Sequence, residues 1–123
     1  MKRNYCLIIG ALLGMFAVIL GAFGAHGLEK MLDAKMLQRF HTGVEYQFYH
    51  AFALLATGLL REHYNHKLLN YAGYAFTLGV LLFSASLYAY AMTGITAIAV
   101  ITPLGGTAFI MGWLFLLLFL IKK

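Results

Sequence analysis

HTGVEYQFYH, residues 41–50, is the stretch on which the reading of this chain turns. It precedes an apolar run, residues 51–60, of only ten residues. At about 1.5 Å per residue that run covers half of a ~30 Å hydrocarbon core. A helix that spans here must therefore draw in residues 43–50, and with them Glu45, Gln47 and His50. Ionisable side chains at such depth are costly and mark functional candidates.

Composition places the stretch in a membrane. Of 123 residues, 63% are apolar and 11% charged, and the mean hydropathy is +0.83. A soluble domain carries about 25% charged residues. The long uncharged runs leave room for one membrane domain and no soluble module beside it. The formal net charge is +5, but the nine basic residues stand at the ends of apolar segments. That placement reads as interfacial anchoring in a lipid bilayer and argues against nucleic acid as a partner. Cys6 is the only cysteine, which excludes an intrachain disulfide or a thiolate metal cluster. It reads as a small buried hydrophobe.

Working outward, the first span is expected over residues 5–25, behind Lys2 and Arg3. It is longer than the 7–15 apolar residues of a signal peptide and is read as a retained helix. Gly10, Gly14, Ala17, Gly21 and Gly24 recur at steps of four, three, four and three. They form a seam for close helix packing, with a left-handed crossing expected from the 3.5-residue period. Residues 27–40 alternate charge with Leu and Met at helical steps and read as an amphipathic interfacial segment.

The second span is expected over residues 43–60. On a 100° wheel His41, Thr42, Glu45, Tyr46, Tyr49, His50 and Thr57 share one broad face, with Gln47 at its edge. That face is expected to meet the bundle interior. Val44, Phe48, Ala51, Phe52, Leu55 and Leu59 fill the other side and are expected to meet lipid. Residues 61–70 form a polar connection, in which His63 and His66 read as solvated rather than as a metal pair.

The third span is expected over residues 71–92. Ala72, Ala75, Gly79, Ser86 and Ala89 make a second small-residue seam, suited to pair with that of the first helix. Residues 93–106 carry no charge and contain Pro103, Gly105 and Gly106. A re-entrant hydrophobic loop and a longer helix kinked at Pro103 both fit this segment. The last span is expected over residues 107–121, with Trp113 inside it and Lys122 and Lys123 as a stop. The fold class is thus an all-α integral membrane protein, four transmembrane helices in a compact bundle. Lys2, Arg3, Arg61, Lys67, Lys122 and Lys123 lie on one side, and Lys30, Lys35 and Arg39 on the other. The positive-inside rule puts both termini in the cytoplasm.

GAFGAHGL at 21–28, FHTGVEYQFYH at 40–50, and TPLGG at 102–106 with the later Gly112–Trp113 pair resemble the YgdD/YwdK family of small bacterial membrane proteins. The resemblance covers nearly the whole chain. It implies a four-helix protein of the bacterial cytoplasmic membrane, within a domain of unknown function. It brings no catalytic residues. Gly24, His26, Gly27, Thr42, Gly43, Tyr46, Gln47 and His50 are marked by it as signature positions only.

The candidate polar pocket comprises His26, His41, Glu45, Tyr46, Gln47, Tyr49 and His50. Its expected role is non-enzymatic: an outer-leaflet pocket for a lipid-like ligand or membrane partner, in a chain that self-associates. One alternative is an oligomeric channel or proton-coupled transporter using Glu45 and His50. Another is a quinone or haem site on His50, flanked by Tyr46 and Tyr49; a bis-histidine haem would need a second axial ligand at matching depth, whereas His26 is expected at the outer end of the first helix. No resident cofactor or metal is expected. The chain has no nucleophile elbow, zinc-binding histidine pair or Cys–His combination. Glu45 lies near the interface, whereas His50 lies about 10 Å deeper than Gly43.

Overall fold

The computed structural model describes residues 3–123; Lys2, counted above among the terminal basic residues, lies outside them. The chain forms four helices: α1 (Tyr5–Leu28), α2 (Ala34–His63), α3 (Lys67–Thr93) and α4 (Thr102–Lys122). Three are long and apolar enough to cross a membrane: α1, α3, and α4 together with the helical turn before it (Thr96–Lys122). The fourth, α2, is the polar one. Its 30 residues span about 45 Å, so length does not limit it.

Local chemistry fixes the helix ends. The Asn4 side chain caps α1 and also donates to the Gly58 carbonyl at 2.7 Å, tying the start of α1 to the end of α2. Asp33 Oδ1 accepts the Met36 N–H at 2.8 Å and starts α2. His66 Nδ1 accepts the Leu68 N–H and starts α3, so this histidine caps a helix. Gly94, at φ +70°, ends α3 in the left-handed conformation that glycine adopts without a steric cost.

The segment 93–106 takes the longer-helix form: helix runs over Thr96–Lys122, interrupted by a turn at residues 100–101 just before Pro103. A helical turn, Thr96–Ala99, leads into α4, which starts at Thr102 with Pro103 in its first turn. Proline in the first turn after this interruption lacks only an N–H that would have no helical partner. The amphipathic segment also divides. Residues 29–33 turn, and residues 34–40 are the first turns of α2.

The seam of α1 packs on α2, not on the seam of α3. A Cβ on Gly10 would lie 3.0 Å from the Ala51 carbonyl, one on Gly21 would lie 3.1 Å from Val44, and one on Gly24 would lie 3.3 Å from Phe40. The small residues of α3 serve other neighbours. Ala72 is fully buried in the common core, Gly79 lies against Phe109, and the Ser86 hydroxyl meets that of Thr102 at 2.6 Å. Two π-helical stretches, Ile19–Gly24 in α1 and Val80–Ser84 in α3, shift the helix faces partway along.

The core is uneven along the bundle axis. At the end carrying the chain termini, all four helices meet in one cluster: Cys6, Leu54, Leu69, Phe76, Leu116 and Phe119. At the opposite end the cluster of Ala25, Phe40, Val44 and Ala91, with Leu20 and Tyr88 beside it, contains no residue of α4. The helices therefore converge at one end, and α4 parts from α2 towards the other.

Candidate functional site

The parting of α2 and α4 leaves a lateral groove of about 660 Å³. Its walls are Tyr46 and Tyr49 of α2 and Thr107, Ile110 and Trp113 of α4; Phe83 of α3 and Pro103 also line it. Phe83 reaches this position from the π-helical stretch of α3. A Cβ on Gly105 would run into the Phe83 backbone, so glycine there lets α4 lie directly on α3.

His50 sits at the inner limit of the groove, 4% exposed. Its Nδ1 lies 2.7 Å from the Tyr46 carbonyl, an acceptor. Its Nε2 receives the Trp113 indole N–H at 3.1 Å, from a group that can only donate. The two partners together fix the neutral imidazole with its proton on Nδ1. The ring also stacks on Phe109 with centroids 3.5 Å apart and planes 6° from parallel. Both ring nitrogens are thus engaged, and the imidazole joins α2 to α4 where the groove begins.

Gln47 performs a similar task on the other side of α2. Its amide nitrogen donates to the Leu13 carbonyl of α1 at 2.8 Å, and its oxygen accepts the Tyr88 hydroxyl of α3 at 2.6 Å. The buried Ser84 hydroxyl donates to the Gly43 carbonyl at 2.7 Å. A Cβ on Gly43 would stand 2.6 Å from the Tyr88 ring, so this contact depends on glycine. Among the described residues each polar side chain buried between helices has its partner, as the low dielectric demands.

The wheel reading of α2 is corrected in one respect. Glu45 and Tyr49 are exposed, and Tyr46 is partly so, whereas Val44 and Ala51, assigned to lipid, are buried against α1. The buried arc runs through Gly43, Gln47, His50, Ala51, Leu54 and Gly58. Glu45 stands on the opposite side of the helix. The reason is that α2 is packed between α1 and α3, so two neighbours cover its apolar half and one edge of its polar half.

The residues proposed as one pocket therefore separate. Tyr46, Tyr49 and His50 line the groove. Gln47 is buried behind it, between α1 and α3. Glu45 meets only the Tyr49 hydroxyl, at 3.5 Å. His41 is half-buried, and His26 is exposed at the end of α1, 3.7 Å from Glu29. Glu45 and His50 are not brought together, and among the described residues no group of three potential ligands forms a metal site. Phe83, Phe109 and Trp113 are the site residues that sequence reasoning missed. Trp113 carried one usable signal: an indole N–H in mid-span needs an acceptor.

Helices this apolar, with their polar groups paired inward, define a small integral membrane protein built as an all-α bundle. The chain belongs to the family described as "Protein of unknown function (DUF423)", whose model matches residues 20–106. It is 43% identical over 117 residues to the UPF0382 membrane protein YwdK of Bacillus subtilis, covering 94% of this chain and 95% of that one. A UPF0382 membrane protein of Haemophilus influenzae is 46% identical, over 93% of this chain and 90% of its own. The UPF0382 inner membrane protein YgdD of Escherichia coli is 36% identical, over 95% and 89% respectively. No solved structure matches the chain.

Proposed function

We propose that the protein crosses the bilayer four times, with both termini in the cytoplasm, and holds the hydrocarbon part of a membrane amphiphile in the groove between α2 and α4. The groove carries this reading. It opens sideways, its volume falls in the 300–1,000 Å³ range of small-molecule sites, and its walls are largely aromatic and aliphatic. The fourth crossing is supported by α2 lying antiparallel to α1, with Gly58 beside Leu7 and Phe40 beside Gly24. Within the proposed spanning part of α2, residues 43–60, the strongly polar side chains are Gln47 and His50, paired inside, and Glu45, within reach of the interface. A binding role fits the site better than catalysis, because His50 has no free nitrogen and no nucleophile lies beside it.

Trp113 is the sole tryptophan and lines the groove, so its fluorescence reports occupancy. Protein reconstituted with phosphatidylcholine brominated on the acyl chain should show strong quenching. Gly106→Leu and, independently, Thr107→Phe fill the groove and should remove most of it. Equal quenching in wild type and both folded variants would mean that only surrounding lipid is sensed, and would end this reading.

A further inference from the structure

A second hollow, of about 310 Å³, adjoins the groove on the side of Arg39 and Thr42. It shares Phe83 and Pro103 with the first and adds Arg39, Thr42, Tyr90 and Thr102. The two hollows adjoin at Phe83 and Pro103 and both are mainly apolar; what the second adds is the Arg39 guanidinium. Arg39 is half-buried there.

No acidic group pairs with Arg39 among the described residues: Glu45 meets the Tyr49 hydroxyl at 3.5 Å. Glu29 lies beside His26, and Asp33 caps α2. The His26–Glu29 contact is the one ion pair found among the described residues, and Arg39 has no part in it. A cation at the mouth of an apolar groove is therefore left without an internal counter-charge. Guanidinium offers five donors in a planar fork that matches two phosphate oxygens at once. The Tyr90 hydroxyl is a further donor lining the same hollow.

Resting on the groove reading above, the geometry points to an anionic phospholipid as the occupant, its phosphate on Arg39 and one acyl chain running along the groove to Trp113. The head group lies at the interface, where Arg39 stands in the first turns of α2. The chain descends past Phe83 to the floor made by His50 and Phe109. An apolar groove alone would accept any acyl chain; the unpaired guanidinium supplies the discrimination.

The experiment compares Trp113 quenching by acyl-brominated phosphatidylglycerol and phosphatidylcholine at equal mole fraction in mixed micelles of the full chain. One basic side chain near an anionic surface favours anionic lipid about five-fold. The expected result is a preference of that size in wild type, lost in Arg39→Gln and kept in Lys35→Gln, whose cation lies outside the groove. Lys35→Gln lowering it as much as Arg39→Gln would show general surface attraction and overturn the assignment. Equal quenching by both lipids that Gly106→Leu still removes would overturn the anionic preference and leave the groove intact. Quenching insensitive to Gly106→Leu would instead remove the groove reading itself.

Discussion

The indole N–H of Trp113 donates to Nε2 of His50 across 3.1 Å, joining α4 to α2 through residues 63 positions apart. With Nδ1 given to the Tyr46 carbonyl, this hydrogen bond fixes which imidazole nitrogen carries the proton. In detergent-solubilised protein carrying ¹⁵N-histidine, the His50 proton should be found on Nδ1. In Trp113→Phe that restriction is lifted, and resistance to sodium dodecyl sulfate unfolding should fall by about 1 kcal/mol. A wild-type His50 protonated on Nε2 alone would contradict the observed pairing.

Gln47 and Tyr88 should be energetically coupled. Unfolding titrations of Gln47→Leu, Tyr88→Phe and the double variant should give an interaction energy of about 0.6 to 1.7 kcal/mol, the range of interhelical hydrogen bonds in membranes. Gln47→Leu alone should cost more than Tyr88→Phe, because it also leaves the Leu13 carbonyl without its donor. Strict additivity would mean that the 2.6 Å contact contributes nothing.

Two neighbouring glycines should answer differently to one methyl group. At Gly105 a Cβ would meet the backbone of Phe83, including its Cα at 2.7 Å, and backbone cannot step aside. Gly105→Ala should cost about 1–3 kcal/mol. At Gly106 the nearest atom would be the Phe83 ring at 3.9 Å, an ordinary contact. Gly106→Ala should be neutral, or slightly stabilising as a better helix former. Thermal aggregation assays on the two single variants read the difference directly.

The proposed topology sets the 29–33 and 64–66 connections on opposite faces of the membrane. In a Cys6→Ala background, Lys30→Cys should react with a membrane-impermeant maleimide added to intact spheroplasts. Asn65→Cys should react only after lysis. Reaction of both from the same side would mean that α2 does not cross, and the reverse pattern would invert the orientation.

Much of the architecture was legible from residues alone, because apolar runs and their basic ends are strong, local signals. The neighbours of each helix were not. The glycine seam of α1 announces close packing, but small residues on α2 and α3 suit it equally, and only the three-dimensional arrangement selects Val44 and Ala51. The wheel of α2 equated polarity with the interior, which a central helix violates. Once Gln47 and His50 face its neighbours, Glu45 is turned away from them. The His50–Trp113 bond joins positions from two different helices, so no spacing rule could find it. Pro103 fits a loop and an interrupted helix equally well by sequence; in the structure it stands in the first turn after the interruption.

The pairing of Gln47 with the Leu13 carbonyl also bears on how the protein is made. A segment carrying Arg39, His41, Glu45 and Gln47 partitions poorly into lipid as an isolated helix. Opposite α1, the Gln47 amide finds a carbonyl and the half with Val44 and Ala51 finds the glycine seam. In the proposed topology α2 enters as the second arm of a hairpin with α1, so the most polar helix of the bundle would owe its place in the bilayer to the one synthesised before it.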